Sequence, residues 1–206
     1  MSSIYEDKEW TNLWWDEADK DEGLPRVFLV GDSQTYGYYP EVIKNMEKEA
    51  RITALTTSKN VDNPYLLPEF DLVIKQFDLK YDLIHFNNGL HGQHQTNVQE
   101  FAACYEKVIN HILENYPEAK LTLALCPPCY QGEHFEEPHE TLFQLAEERN
   151  AKIRALAEKY NLPVDDLFTP MLAHRDLHVP DGVHYGDEGR AMLGQIVSEF
   201  IREQLK

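Results

Sequence analysis

Ser33 and, far along the chain from it, Asp181 and His184 are of the types that carry out acyl transfer. A serine hydroxyl is a poor nucleophile at neutral pH. It needs a base within hydrogen-bond reach, and the base needs a partner that fixes its tautomer. In Asp181-Gly182-Val183-His184 the acid precedes the histidine by three residues, so its carboxylate can fold back to Nδ1 and leave Nε2 for the serine. Gly182 permits that turn. In isolation the stretch also reads as a surface turn with a helix-capping histidine, and nine histidines make chance pairings with acids common.

Acyl transfer also develops negative charge on the carbonyl oxygen, where preorganised donors contribute about 3–4 kcal/mol each. The amide of Ser33 is one donor. Backbone amides near Asn60 and Val61 are a second source, and the side chains of Asn87, Asn88 and His91 are a third. Asn88-Gly89 is equally a common turn pair. Asp32, Tyr36 and Asn87 are the expected substrate contacts.

These groups need elements that bring them together. Val27-Phe28-Leu29-Val30 reads as a strand buried on both faces, ending in Gly31-Asp32-Ser33. Ligands bind at the carboxyl ends of strands in open α/β sheets, so Ser33 stands where a hydroxyl can be aimed. Tyr36, Tyr38 and Tyr39 follow, to wall a pocket or to cover the sheet. Pro40 fits a helix start and predicts a helix over 41–50. Further strands are expected at 51–55, 82–87 and 121–125, with a short one at 162–164.

Helical spacing runs from Tyr65 to Phe77. Thr96-Asn97-Val98-Gln99 is a capping box that opens a helix to about Asn115. Another helix ends at Tyr160, residues 165–173 hold one or two helical turns, and an amphipathic helix over 187–204 closes the chain. Strands and helices alternate, which predicts a central parallel sheet of about five strands with helices on both faces, a three-layer αβα sandwich.

The composition fits that architecture. The chain has 206 residues, 42% hydrophobic and 27% charged, enough for one domain over 1–206 with its own core. Residues 1–24 carry Trp10, Trp14 and Trp15 among acids and read as an N-terminal arm laid over the domain, with a sugar-stacking surface as the alternative. A net charge of −17 repels phosphate backbones and anionic lipid, so neither nucleic acid nor membrane is the expected partner. The N-terminus lacks the basic and apolar regions of a signal peptide, and a cytoplasmic location is expected. Three cysteines make no disulfide framework.

Gly31-Asp32-Ser33, Gly89-Leu90-His91-Gly92 and Asp181-Gly182-Val183-His184 together resemble the three blocks of the SGNH, or GDSL-type, hydrolase superfamily, over residues 26–204. The stretch Phe86-Asn87-Asn88-Gly89-Leu90-His91 resembles a subgroup of it. The resemblance implies a flavodoxin-like fold and ester hydrolysis through an acyl-enzyme, with no cofactor. Ser33 would be the nucleophile, His184 the base and Asp181 its orienting acid. Two departures stand out. His91 occupies the place of the family's third-block asparagine, and Thr57-Ser58-Lys59-Asn60-Val61 lacks the second-block glycine. A neutral imidazole can donate from one nitrogen, so His91 can take the role, and Asn87 or Asn88 are the alternatives.

The expected substrate is a small acyl ester, first an acetyl group on a carbohydrate. The alternative function is a non-catalytic relative that binds a small ligand or sugar in the same pocket. Cys126-Pro127-Pro128-Cys129 has the spacing of redox motifs and half zinc sites, but zinc would need two more ligands, such as His134 or His139. A loop bordering the ester pocket is the preferred reading, and Cys104 reads as core.

Overall fold

The computed structural model describes residues 5, 7–15, 23–76, 79–92 and 97–206. In chain order the elements are β1 (Thr11–Trp15), β2 (Arg26–Gly31), α1 (Ser33–Met46), β3 (Arg51–Thr57), α2 (Leu66–Gln76), β4 (Leu83–Asn87) and α3 (Val98–Asn115). Then come β5 (Lys120–Ala124), the small pair β6 (Tyr130–Gln131) and β7 (Glu137–Pro138), α4 (Leu142–Tyr160), β8 (Val164–Asp165), α5 (Phe168–Met171) and α6 (Asp187–Gln204). The main sheet has six strands in the order β1-β3-β2-β4-β5-β8. The last five in that order run parallel, and β1 joins antiparallel at the β3 edge.

β2 lies inside the sheet, and its alternation divides the core in two. Val27 and Leu29 pack with Tyr38, Val42, Leu193 and Val197 beneath α1 and α6. Phe28 and Val30 face Phe70, Phe101, Tyr105 and Ile153 from α2, α3 and α4. Both faces of β2 are therefore apolar, which is why the strand is a continuous hydrophobic run rather than an alternating one. Each such side chain contributes roughly 1.5–3 kcal/mol on burial. Among the described residues, no helix is long and apolar enough to cross a membrane.

Several elements differ from the sequence-based expectations. The N-terminal segment does not lie over the domain between 11 and 15. It becomes a sixth strand, with Thr11 opposite Thr57 and Trp15 opposite Thr53. Thr-Asn-Leu-Trp-Trp is rich in strand-favouring residues, and pairing with it covers the edge that β3 would otherwise expose. Leu13 packs against the core, whereas Trp14 and Trp15 stay exposed.

Helix α1 starts at Ser33, not after Pro40, which sits inside it. The Asp32 cap starts the helix early, and Pro40 lies on its exposed face, where the carbonyl left without an amide can turn to water. The cap of α3 is Asn97, whose side chain accepts from the amides of Gln99 and Glu100. Thr96 and Phe77, the expected helix ends, lie outside the described residues. The last strand falls at 164–165 rather than 162–164.

Candidate active site

The site begins where β2 turns into α1. Gly31 abuts the Thr35 hydroxyl and the Asn87 carbonyl so closely that any side chain there would collide with both. The next residue, Asp32, is fully buried and caps α1 by accepting from the Gln34 amide at 2.9 Å. Ser33 is therefore the first residue of α1. Its amide is one of the helix-terminal donors that have no acceptor within the helix.

The second part is the loop into α6. Gly182 has φ +67° and lies directly against the Tyr130 carbonyl, a place that excludes any Cβ. Tyr130 donates its amide to the Gly182 carbonyl at 2.8 Å, so the turn is fastened to the loop after β5. Asp181 Oδ1 accepts from the amides of Val183 and His184, both at 2.8 Å. Its Oδ2 is 2.7 Å from His184 Nδ1, and His184 Nε2 is 2.8 Å from Ser33 Oγ. A carboxylate only accepts, so the proton on this side of the ring sits on Nδ1 and Nε2 is left to accept from the serine. Partial burial works against the Asp181 charge, but the bonds from His184 and Val183 outweigh it and hold the carboxyl below its usual value.

Further bonds hold these two parts in register. Gln34 donates from Nε2 to the Val183 carbonyl at 2.8 Å, tying α1 to the histidine loop. The Pro128 carbonyl accepts from the Tyr185 hydroxyl at 3.1 Å and lies 3.1 Å from His178 Nε2. This is what the Cys-Pro-Pro-Cys turn does locally: it presents a carbonyl that anchors the loop on both sides of His184. Cys126 and Cys129 are buried free thiols. Burial pushes both up in pKa, Cys129 to about 12, which leaves them poor sources of the thiolate that redox and metal chemistry require. Cys104 is half-buried on α3 and packs against the core. His139 lies just before α4, its Nδ1 accepting from the amides of Thr141 and Leu142.

The third part is the loop after β4, which is held between two buried charges. Asp32 Oδ2 accepts from the amides of Gly89 and Leu90 at 3.4 and 3.3 Å. On the other side Arg149 of α4, fully buried, donates to the carbonyls of Gly89, His91 and Gly92 at 3.0, 2.6 and 2.8 Å. Its guanidinium also lies 4.5 Å from the centre of the Phe101 ring. The neighbouring Asn150 clamps the loop after β5, donating to the Cys126 carbonyl and accepting from its amide, both at 2.9 Å. Two consecutive residues of one helix thus hold two of the strand-end loops.

Two cavities open beside Ser33. One of about 90 Å³ is lined by Ser33, Tyr36, Gly37, His184, Arg190 and Leu193, among others. A larger one of about 480 Å³ is lined by Trp10, Ser33, Leu90, His91 and Leu142, with Asp181 and His184 at one side. The structure therefore brings together Ser33, Asp181, His184, His91 and Tyr36. It does not bring Asp32 or Asn87 to either cavity as substrate contacts. Both are fully buried: Asp32 accepts three backbone amides, and Asn87 points its Nδ2 at the Leu125 carbonyl at 3.5 Å.

Asn88 is also fully buried and donates to the Lys59 carbonyl at 2.8 Å, so it ties the loops after β3 and β4 together. Asn60 is buried against Gly92 and donates to Asp62, and Val61 packs its side chain into the core. Neither lines the cavities. Of the three side chains considered for an oxyanion donor, His91 alone lines the cavity that Ser33 lines. Arg149 and Gln34 have positions behind the site that sequence reasoning did not assign, and Trp10, read as part of a packed arm with a sugar-stacking surface as the alternative, lines the larger cavity. An arginine amid the apolar spacing of α4 was the one visible signal for Arg149.

No protein-family model matches this chain, and no curated protein does. Solved structures do match over nearly the whole chain. A lipase/acylhydrolase from Enterococcus faecalis aligns with 88% of this chain and 97% of its own, at 18% identity and a TM-score of 0.69. A GDSL-like lipase from Bacteroides thetaiotaomicron covers 90% of this chain and 91% of its own, at 18% identity and a TM-score of 0.67. An acetyl xylan esterase covers 85% and 99%, at 19% identity and a TM-score of 0.69. The chain is thus a mostly parallel α/β sandwich with the fold that these lipases and esterases share.

Proposed function

We propose that this chain is a serine esterase of the SGNH (GDSL-type) superfamily that hydrolyses a small acyl ester, with acetyl on a carbohydrate as the first substrate class. The observation that carries the reading is the unbroken relay from Asp181 Oδ2 through His184 to Ser33 Oγ, at 2.7 and 2.8 Å. The fold neighbours supply independent support, since they include lipases and an acetyl xylan esterase. The smaller of the two cavities beside the relay, about 90 Å³ against about 480 Å³, favours a short acyl group.

In this mechanism Ser33 Oγ attacks the ester carbonyl carbon while His184 Nε2 takes its proton. Asp181 keeps the imidazole in the required tautomer and stabilises the imidazolium that forms. The developing oxyanion takes hydrogen bonds from the Ser33 amide and the His91 imidazole, with Asp32 and Arg149 fixing the backbone that carries His91. Collapse of the tetrahedral intermediate breaks the ester C–O bond, and His184 gives the proton to the departing alkoxide. A water then gives a proton to His184 Nε2 and attacks the acyl carbon; the bond from that carbon to Ser33 Oγ breaks, His184 returns the proton to Oγ, and the acid leaves. The charge of −17 supports a neutral small molecule as the partner rather than nucleic acid or an anionic membrane.

Hydrolysis of p-nitrophenyl acetate by the wild type beside Ser33→Ala tests the reading. Turnover that disappears in the variant, together with fluorophosphonate labelling of Ser33, is the expected result. Equal turnover in both proteins, or no labelling of Ser33, overturns it. A ligand-binding role without catalysis is the second reading, favoured by the replacement of the expected asparagine by His91. Failure to label with retained ligand binding is its signature.

A further inference from the structure

We propose that the larger cavity is the subsite for the leaving alcohol, and that Trp10 makes it select a six-membered ring with an apolar face. This rests on the esterase reading of Ser33 and His184. Trp10 precedes β1, which runs antiparallel to β3 with Thr11 opposite Thr57. An antiparallel edge strand starts where its parallel neighbour ends, so Trp10 is delivered to the carboxyl end of the sheet, where Ser33 stands.

Its backbone is pinned there. The Trp10 amide donates to Ser58 Oγ at 2.9 Å, and its carbonyl accepts from the Ser58 amide at 3.1 Å and from Thr57 Oγ1 at 3.0 Å. The indole meets the His91 ring edge-on at 6.1 Å and 73°, and the Tyr36 ring edge-on at 6.0 Å and 68°. These contacts hold the indole beside a space that His91, Leu142, Val183, Ser33 and His184 also line.

The two compartments beside Ser33 divide the ester between them. The leaving oxygen must receive its proton from His184 Nε2, and both cavities touch His184. Only the space of about 480 Å³ reaches the range of about 300–1,000 Å³ typical of organic ligands. The described lining beyond the catalytic groups is mainly apolar, from Trp10, Leu90, Leu142 and Val183. A flat ring face laid against indole satisfies such a wall, whereas a charged group does not. An aryl ring and the C–H face of a pyranose share this chemistry, so the assay must separate them.

The test compares wild type, Trp10→Phe and Trp10→Ala on phenyl acetate, an acetylated methyl xyloside and ethyl acetate. The ratio of kcat/KM on a ring ester to that on ethyl acetate falls roughly three- to tenfold in Trp10→Ala, mostly through KM, and recovers in Trp10→Phe. A fall for phenyl acetate alone identifies an aryl leaving group, and a fall for the xyloside alone identifies a pyranose. An unchanged ratio for both overturns the proposal. Saturation-transfer NMR of the same ring esters on Ser33→Ala, with and without Trp10→Ala, gives a reading that needs no turnover. Ring signals that survive loss of the indole at equal strength overturn the subsite even if the esterase reading stands. If the esterase reading fails, these signals still decide whether Trp10 binds a ring.

Discussion

Replacing Arg149 by methionine probes the device that holds the loop carrying His91. The guanidinium donates to three carbonyls, those of Gly89, His91 and Gly92. A bond from a charged donor contributes about 1.5–3 kcal/mol, so three amount to about 4–9 kcal/mol gross. Desolvation opposes this. Burial draws the Arg149 pKa down from the usual arginine value, against the raising effect of Cys126, Asp62 and Asp32, and removing a buried ion recovers several kcal/mol. Methionine also refills part of the volume over Phe101. The expected net loss is about 2–4 kcal/mol. Urea unfolding followed by circular dichroism reads it as a lower midpoint at unchanged slope. Arg149→Lys keeps the charge but not the planar fork, and falls between the two. Turnover drops with stability, because the backbone bearing His91 loses its anchor. A loss under about 0.5 kcal/mol in the methionine variant would refute the view that Arg149 holds this loop.

Other consequences are direct. Ser33→Ala and His184→Ala each lower kcat by several orders of magnitude, and the double variant costs little more because the two act as one unit; near-additive losses in steady-state kinetics would deny a shared relay. Gly182→Ala forces a side chain into a left-handed turn against the Tyr130 carbonyl and destabilises by about 1–3 kcal/mol while lowering kcat, and a thermal midpoint and kcat both equal to wild type would contradict that geometry. The Asp181 carboxyl lies below its usual value in the folded protein, so its contribution to stability is fully present above the unfolded pKa of about 3.9 and is lost as pH falls through the lower folded value. The gap in thermal midpoint between wild type and Asp181→Asn therefore closes as the buffer is made more acidic than the unfolded carboxyl pKa of about 3.9. A gap that persists unchanged at pH 2 to 3 would refute the linkage.

Much of this protein is written locally. The run Val27–Val30 identifies a doubly buried strand because its neighbours on both faces are apolar. Helix α6 over 187–204 follows from its amphipathic spacing, and the Asp181–His184 pair follows from a three-residue turn that Gly182 makes possible. These features depend on residues a few positions apart, and short-range periodicity records them. Ser33 was legible as the end of such a strand. Its 2.8 Å approach to His184, across 151 residues, is a property of the packed sheet.

The tertiary structure alone decided the rest. Asp32, Asn87, Asn88 and His91 have similar polarity and lie at the ends of adjacent strands. Which of them turns inward depends on which backbone groups of the facing loops need partners. Asp32 and Asn88 are taken up by those groups, and His91 is left lining the cavity. Pro40 inside α1 yielded to the Asp32 cap. The N-terminal segment became a strand because β3 had an open edge, and that pairing carried Trp10 to the site. Arg149 gains its partners only when α4 docks and its charge meets three inward carbonyls. Burial and long-range pairing reverse local preference at each of these positions, because an unmet backbone group in the interior costs more than any propensity returns.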